Sequence, residues 1–295
     1  MALARWAAVV LAVAVVCSAT SAVDGGKPLA TDAAEPPSSL AEPIRLDSCT
    51  TISEPGRYVL ASDIESRAET CIRIAADDAI LDGAGRAVDG GTVRENATGV
   101  AVTGANVTVR NLSLSRWTFG IRYENAPDGV VRNVTVRRTV DGVTLASSPR
   151  SRVDGATVTS GFTGVSVVES DASAVTDSVT SRLLSSGVLV ADSRRVVASN
   201  VTVVRSETGI ALLGSRRGRV EDAVVRSTRT ALLLVDSRAN SVANVSLSNP
   251  GGTATVALSN ATENRIVATN GDWTLLRERS RENRVTNATT RAPGR

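Results

Sequence analysis

The chain has 295 residues, with 33 basic and 30 acidic side chains and a formal net charge of +3. That near balance excludes the large positive field expected of a nucleic-acid binder. It contains no histidine and one methionine, which removes histidine-dependent nucleophile schemes and most of the imidazole and thioether donors that copper and zinc sites draw on.

Residues 1–22 carry Arg5, an apolar run from Trp6 to Val16 and small residues at the exit, the pattern of a secretory signal peptide. The run is short for a membrane span. Cys17 raises a lipoprotein alternative, opposed by the bulky Val16 before it. Residues 23–43, rich in Pro, Ala and Ser without periodicity, read as a linker. No second hydrophobic span appears, so no stable span is expected once the signal is removed. Cys49 and Cys71 then remain, and an exported chain would join them as one disulfide pinning an amino-terminal cap to the first coil.

Residues 44–98 are assigned to that cap and the first coil, Cys71–Ile74 followed by Ala79–Gly83, with a long return from Ala84 to Thr98. From 99 to 253 a glycine-led unit recurs at Gly99, Gly120, Gly142, Gly164, Gly187 and Gly209, then at Ala231, with spacings of 21, 22, 22, 23, 22 and 22. A period near 22 built of short β-branched runs predicts an all-β parallel β-helix, because one coil cannot bury its apolar side alone. Positions +1, +3, +11, +14 and +16 from the leading residue are aliphatic, giving a short strand and a second, longer one per coil. Residues 254–290 form tighter terminal coils, since Glu263-Asn-Arg-Ile and Glu282-Asn-Arg-Val repeat at 19, and 291–295 are a tail. About ten coils at the inter-strand spacing would stack over roughly 50 Å. The 2 % aromatic content suits a narrow aliphatic core.

Eight Asn-x-Ser/Thr sequons occur, at Asn96, Asn106, Asn111, Asn133, Asn200, Asn244, Asn260 and Asn287. Asn133, Asn200 and Asn244 share offset +13, where a buried turn ladder of Asn and Asp is expected. Asn96, Asn260 and Asn287, read as off the regular column, are the N-glycosylation candidates.

The segment Ser48-Cys-Thr-Thr-Ile-Ser-Glu-Pro-Gly-Arg-Tyr-Val-Leu, with Cys71-Ile-Arg-Ile-Ala-Ala-Asp-Asp-Ala-Ile-Leu-Asp-Gly-Ala-Gly, resembles the opening of archaeal secreted right-handed β-helix proteins. These are related to NosD-like and carbohydrate-binding or sugar-hydrolase β-helix domains. The resemblance covers roughly residues 44–290 and implies the right hand of the helix. NosD-like proteins are associated with copper delivery, which this donor-poor sequence does not suit, and no transition-metal site is expected.

The chemistry-bearing residues fall in columns. Glu169, Asp192 and Asp236 share offset +5. They read first as turn residues, each followed by serine, and alternatively as the carboxylates of a glycosidase or lyase, because stacking would bring Glu169 and Asp192 to about 5 Å. Asp77, Asp78 and Asp82 likewise read as turns, with calcium as the alternative cofactor and no other expected. Arg150, Arg194, Arg195, Arg216, Arg217 and Arg238 at +7 to +8 form one basic column; Arg116, Arg137, Arg138, Arg182, Arg205 and Arg226 at +17 to +18 form a second. Guanidinium forks suit the carboxylates or sulfates of an acidic glycan, and Trp117, Phe119 and Phe162 lie near the second column as candidate sugar-stacking rings or core plugs. Against selection at each site, Lys27 is the only lysine among the 33 basic residues. The resulting expectation is an exported, non-catalytic structural or acidic-glycan-binding module whose partner is a polysaccharide or envelope glycan, with catalysis as the alternative.

Overall fold

The computed structural model describes residues 42–248, 254–270 and 274–287. The signal segment, all of the linker up to residue 41, Cys17 and the tail lie outside the described residues. Described residues form 27 strands and no helix, and every strand pairing is parallel, with coil stacked on coil.

Each coil has three faces. Face A is exemplified by Asp141–Ala146, face B by Arg152–Asp154 and face C by Thr157–Gly161. The longer second strand expected from sequence is therefore a pair of strands on two faces, separated by a corner. At Val130–Arg137 one strand runs unbroken from face B to face C, whereas Val179–Ala191 turns the next corner, from face C to face A. The long return after the first coil also contains a face-C strand, Ala87–Asp89, which pairs with Ser113–Ser115.

Register explains the sequence period. On face A, Val100, Ile121, Val143, Val165, Val188, Ile210, Leu232 and Val256 stand one above another, and all are buried. A fully buried aliphatic side chain contributes roughly 1.5–3 kcal/mol, and here its neighbours are the same position in the adjoining coils. The one 23-residue spacing is absorbed between Leu183 and Ser186, where the ladder shifts register. The terminal coils pair at a spacing of 19, as Val256↔Leu275 and Arg265↔Arg284.

The leading glycines answer a close approach. A Cβ on Gly142 would lie 2.5 Å from the Gly164 carbonyl oxygen and 2.5 Å from Val158 Cγ1. Face A begins where the chain passes hard against the end of face C, and a side chain there has no space.

The corners are built from residues with positive φ. At the B–C corner Asn111, Asn133, Asp177, Asn200, Asp222 and Asn244 have φ between 50° and 54°. Asn200 Nδ2 donates to Asp177 Oδ1 at 2.6 Å, and Asn244 Nδ2 donates to Asp222. The ladder exists, but Asn133, Asn200 and Asn244 are exposed rather than buried, because the corner turns its polar groups outward. Asn260, by contrast, stands inside the +5 column and donates to Asp236 Oδ1 at 2.6 Å, so it is part of a ladder after all. Asn96 is exposed at φ 57°; the side chain of Asn287 lies outside the described residues.

At the A–B corner the serines point inward. Ser148 N–H donates to Ser170 Oγ at 2.9 Å, and Ser170 N–H to Ser193 Oγ at 2.9 Å. Farther along, the N–H of Asn240 donates to Asn264 Oδ1 at 2.9 Å. These buried backbone donors would be costly to leave unpaired. The Cys49–Cys71 disulfide ties the coil containing Thr50–Ile52 to the one below it. Closing a loop of that size contributes on the order of 3 kcal/mol in the chain-entropy account.

Two acidic side chains anchor the first coils. Burial alone would raise Asp89, but the Gly91 N–H, the Ser115 hydroxyl and the Arg116 guanidinium hold it below the usual range. At Asp82 burial is likewise outweighed, here by the Ala84 N–H, Asn111 and Arg110. Groups with lowered folded-state values contribute their full stabilisation above the ordinary aspartate range and lose it as pH falls through the lowered value.

Two outcomes are expected. Gly142→Ala should lower unfolding free energy by roughly 1–3 kcal/mol, as overpacking does, measured by denaturant titration. Stability should decline as pH drops below the ordinary aspartate range, and Asp89→Asn should flatten that decline, measured by denaturation across a pH series.

Candidate functional site

The A–B corner carries the first arginine column. Arg194, Arg216 and Arg238 occupy one position in successive coils, bridged in parallel register, so their backbones sit about 4.8 Å apart. Arg195 and Arg217 follow in left-handed conformation, with φ of 56° and 55°. The five arginines, with Ala239 and Glu263, line a groove of about 360 Å3.

Charge in the groove is only partly compensated. Glu263 accepts from Arg238 Nε at 3.0 Å and Nη2 at 2.5 Å, and the Arg238 hydrogen bond holds Glu263 below the usual carboxylate range. Arg150, on the same corner but farther toward the amino terminus, is paired with Asp128 through bonds of 2.7 and 2.7 Å. Among the described residues Arg194, Arg195, Arg216 and Arg217 have no ion pair. Four neighbouring guanidiniums without a carboxylate repel one another, a cost that an anion laid across them removes.

Backbone conformation sharpens the point. The left-handed position held by Arg195 and Arg217 is filled in other coils by Asn106, Asp128, Arg150, Ala172, Ala239 and Glu263, so the turn accepts side chains of several kinds, Asn and Asp most cheaply. Turn chemistry therefore does not call for arginine there.

The +5 carboxylates share this corner as turn residues. Glu169, Asp192 and Asp236 have φ of 49°, 47° and 52°, in a column with Asn125, Ser147, Gly214 and Asn260. Glu169 Oε2 accepts from the Ser147 hydroxyl at 3.0 Å. Gly214, between Asp192 and Asp236, would place a Cβ 2.2 Å from Asp192 Oδ1. Asp77 accepts from the Ala105 N–H and Asp78 from Asn106 Nδ2, each at 2.7 Å, while Asp82 engages Arg110 at 2.9 Å.

The aromatic candidates separate. Trp117 is completely buried and donates Nε1–H to the Val88 carbonyl at 3.1 Å, so it fills the core and offers no ring to a ligand. Phe162 is exposed, but on the C–A corner, away from the arginine groove. Phe119 lies under Arg122, whose Cζ is 4.7 Å from the ring centroid. Sequence reasoning passed over one carboxyl nearby, Asp141. Burial raises it above the usual range, and Thr163 and Arg122 offset this only in part. Its signal was an acidic residue in a column otherwise held mainly by Thr and Ser: Thr98, Thr163, Thr208 and Thr230.

The family model for the periplasmic copper-binding protein NosD matches residues 64–182 and 139–289. The chain belongs to the NosD family. Among curated proteins none matches it. DFA-IIIase from Arthrobacter chlorophenolicus A6 is similar in structure with a TM-score of 0.57 and 11 % identity, over 81 % of this chain and 89 % of that one. The GH136 lacto-N-biosidase from Eubacterium ramulus is similar with a TM-score of 0.53 and 9 % identity, over 79 % of this chain and 62 % of that one. At such identities the likeness is one of fold. No helix among the described residues is long and apolar enough to cross a membrane.

The family description implies copper, and the donor set does not fit it. Copper sites draw on imidazole, thioether and thiolate. This NosD chain has no histidine, its one methionine is Met1, and of its three cysteines Cys49 and Cys71 are bonded to each other, leaving Cys17 of the signal-like segment as one thiol without the partners a copper site needs. No cluster of three or more His, Cys, Asp or Glu side chains is placed to hold a metal among the described residues. Titration with Cu(I) or Cu(II), followed by calorimetry and metal analysis after desalting, is expected to show no stoichiometric copper retained; one tight equivalent would contradict that reading of the donor set.

Proposed function

We propose that this NosD-family chain is an exported, non-catalytic β-helix module of the cell envelope that binds acidic polysaccharide along its A–B corner. The observation that carries the reading is the run Arg194, Arg195, Arg216 and Arg217, four guanidiniums free of ion pairs on adjoining coils. A polymer with one carboxylate or sulfate per sugar matches a linear array of forks better than a compact ligand does. The family's periplasmic description and the signal-like residues 1–22 support export. The bonded Cys49–Cys71 pair agrees with an oxidising compartment. The competing enzymatic reading rests on Glu169, Asp192 and Asp236 at the same corner, and their turn conformation favours the binding role.

Retention on immobilised polygalacturonate and sulfated glycans, with chain length of the eluted polymer followed in parallel, tests the proposal. Retention should weaken with salt. Replacing Arg194, Arg195, Arg216 and Arg217 by alanine should reduce it by on the order of a hundredfold, from charged hydrogen bonds worth roughly 1.5–3 kcal/mol each that are only partly lost to solvent, with the unfolding midpoint unchanged. Unchanged retention would defeat the binding role of this corner. Polymer shortening that disappears in Asp192→Asn would replace it with catalysis.

A further inference from the structure

The C–A corner differs in chemistry from the arginine groove. Four apolar side chains stand in solvent there: Val93, Val140, Phe162 and Leu184, the last 77 % exposed. Val140 and Phe162 hold the same place in successive coils, each just before the paired residues Asp141 and Thr163. Leu184 continues the line because Gly161 pairs with Leu183. Leu184 also falls in a stretch with an extra residue, between Leu183 and Ser186. Neighbouring coils close this corner without the addition, so closure does not require it; its visible effect is a leucine pushed outward. One coil farther the apolar line stops, where Glu207 and Arg229 form an ion pair at 3.0 Å.

Basic side chains flank the line. Arg138, Arg182 and Arg205 sit at φ of 54°, 56° and 56°, again at positions where a turn alone favours smaller residues. Among the described residues none of these, nor Arg137, has an ion pair, although Arg182 Nε donates to Ser160 Oγ at 3.3 Å. Val140, Phe162 and Leu184, with Arg138 and Arg182, line an open groove of about 560 Å3 whose wall is almost wholly apolar.

We propose that this corner docks on a membrane surface containing anionic phospholipid, with Phe162 and Leu184 entering the headgroup–acyl boundary and the arginines engaging lipid phosphates. Exposed aliphatic groups beside uncompensated guanidiniums are the two halves of interfacial binding. A sugar chain would ask for hydrogen-bonding groups across the groove wall, and here the exposed wall is mostly ring and aliphatic surface, with polar groups from Arg138, Thr139, Ser160 and Arg182 contributing little of it. The surface is separate from the A–B corner, so a NosD-family module could lie against a membrane by one corner while another holds glycan.

The test is co-sedimentation of the full chain with phosphatidylglycerol–phosphatidylcholine vesicles against pure phosphatidylcholine. Every variant retains residues 1–22, so differences among variants report the corner and not the apolar amino-terminal segment. Binding should prefer the anionic vesicles and weaken on the order of tenfold in Leu184→Asp. Arg138→Ala and Arg182→Ala should each weaken it about fivefold. Leu184→Asp should retain the wild-type melting profile and A–B corner glycan retention, since its side chain packs little. Equal partition of wild type and Leu184→Asp, or no preference for anionic lipid, overturns the proposal. So does loss of oligouronate binding in Phe162→Ser with vesicle binding intact, which would make the corner a sugar subsite.

Discussion

Parallel hydrogen bonding from coil to coil holds each residue over its counterpart one repeat earlier, and nearly every other property of the molecule follows from that register. A linear period near 22 becomes a set of columns. An aliphatic residue repeated in sequence becomes a continuous core, as with Val143, Val165 and Val188. A serine repeated at a corner becomes an internal ladder that satisfies buried N–H groups. Register also makes surface chemistry additive: one arginine is unremarkable on a protein surface, but Arg194, Arg216 and Arg238 stand in one column and line one groove.

The corners carry the candidate surfaces because the faces are committed to stacking. Left-handed positions recur at each corner, and most are held by Asn, Asp, Ser or Gly, for which that backbone is inexpensive. Arginine at 138, 182, 195, 205 and 217 departs from this economy. At two different corners the departure coincides with guanidiniums lacking carboxylate partners. Within the same columns the left-handed Arg116 and Arg150 are neutralised, by Asp89 and Asp128, as Arg110 is by Asp82 on a face. The uneven distribution of partners, more than the number of arginines, distinguishes the candidate surfaces from a uniformly charged exterior.

Much of this is legible in the sequence. The glycine spacing gave the coil length, and the structure supplies its cause in the contact between Gly142 and Val158. The +5 acid–serine pattern was readable as a turn because both residue types favour such backbone. Three things were hidden. The split of the second strand into two faces shows only as the three-residue step from Val131 to Val134 across the +13 turn position, one break in an otherwise alternating aliphatic run. The burial of Trp117 depends on Gly90 and Gly99 of the irregular first coils, where a Cβ would lie 3.1 and 3.2 Å from the indole, and no repeat reports that contact. The separation of Phe162 from the A–B arginines depends on which corner a residue occupies, and two corners per coil cannot be told from three without the faces. Family membership adds the fold, while among the described residues the copper of the family description meets no histidine, methionine or free thiol.

Cysteine cross-linking measures the central claim, coil-over-coil register at the arginine corner, most directly. Introducing Arg194→Cys with Arg216→Cys places two thiols about one inter-strand spacing apart, within disulfide reach, and oxidation should join them quantitatively while the Cys49–Cys71 bond persists. The pair Arg194→Cys with Arg238→Cys, two coils apart, should stay unjoined. Cross-linking in the second pair but not the first would contradict the register on which both proposed surfaces depend.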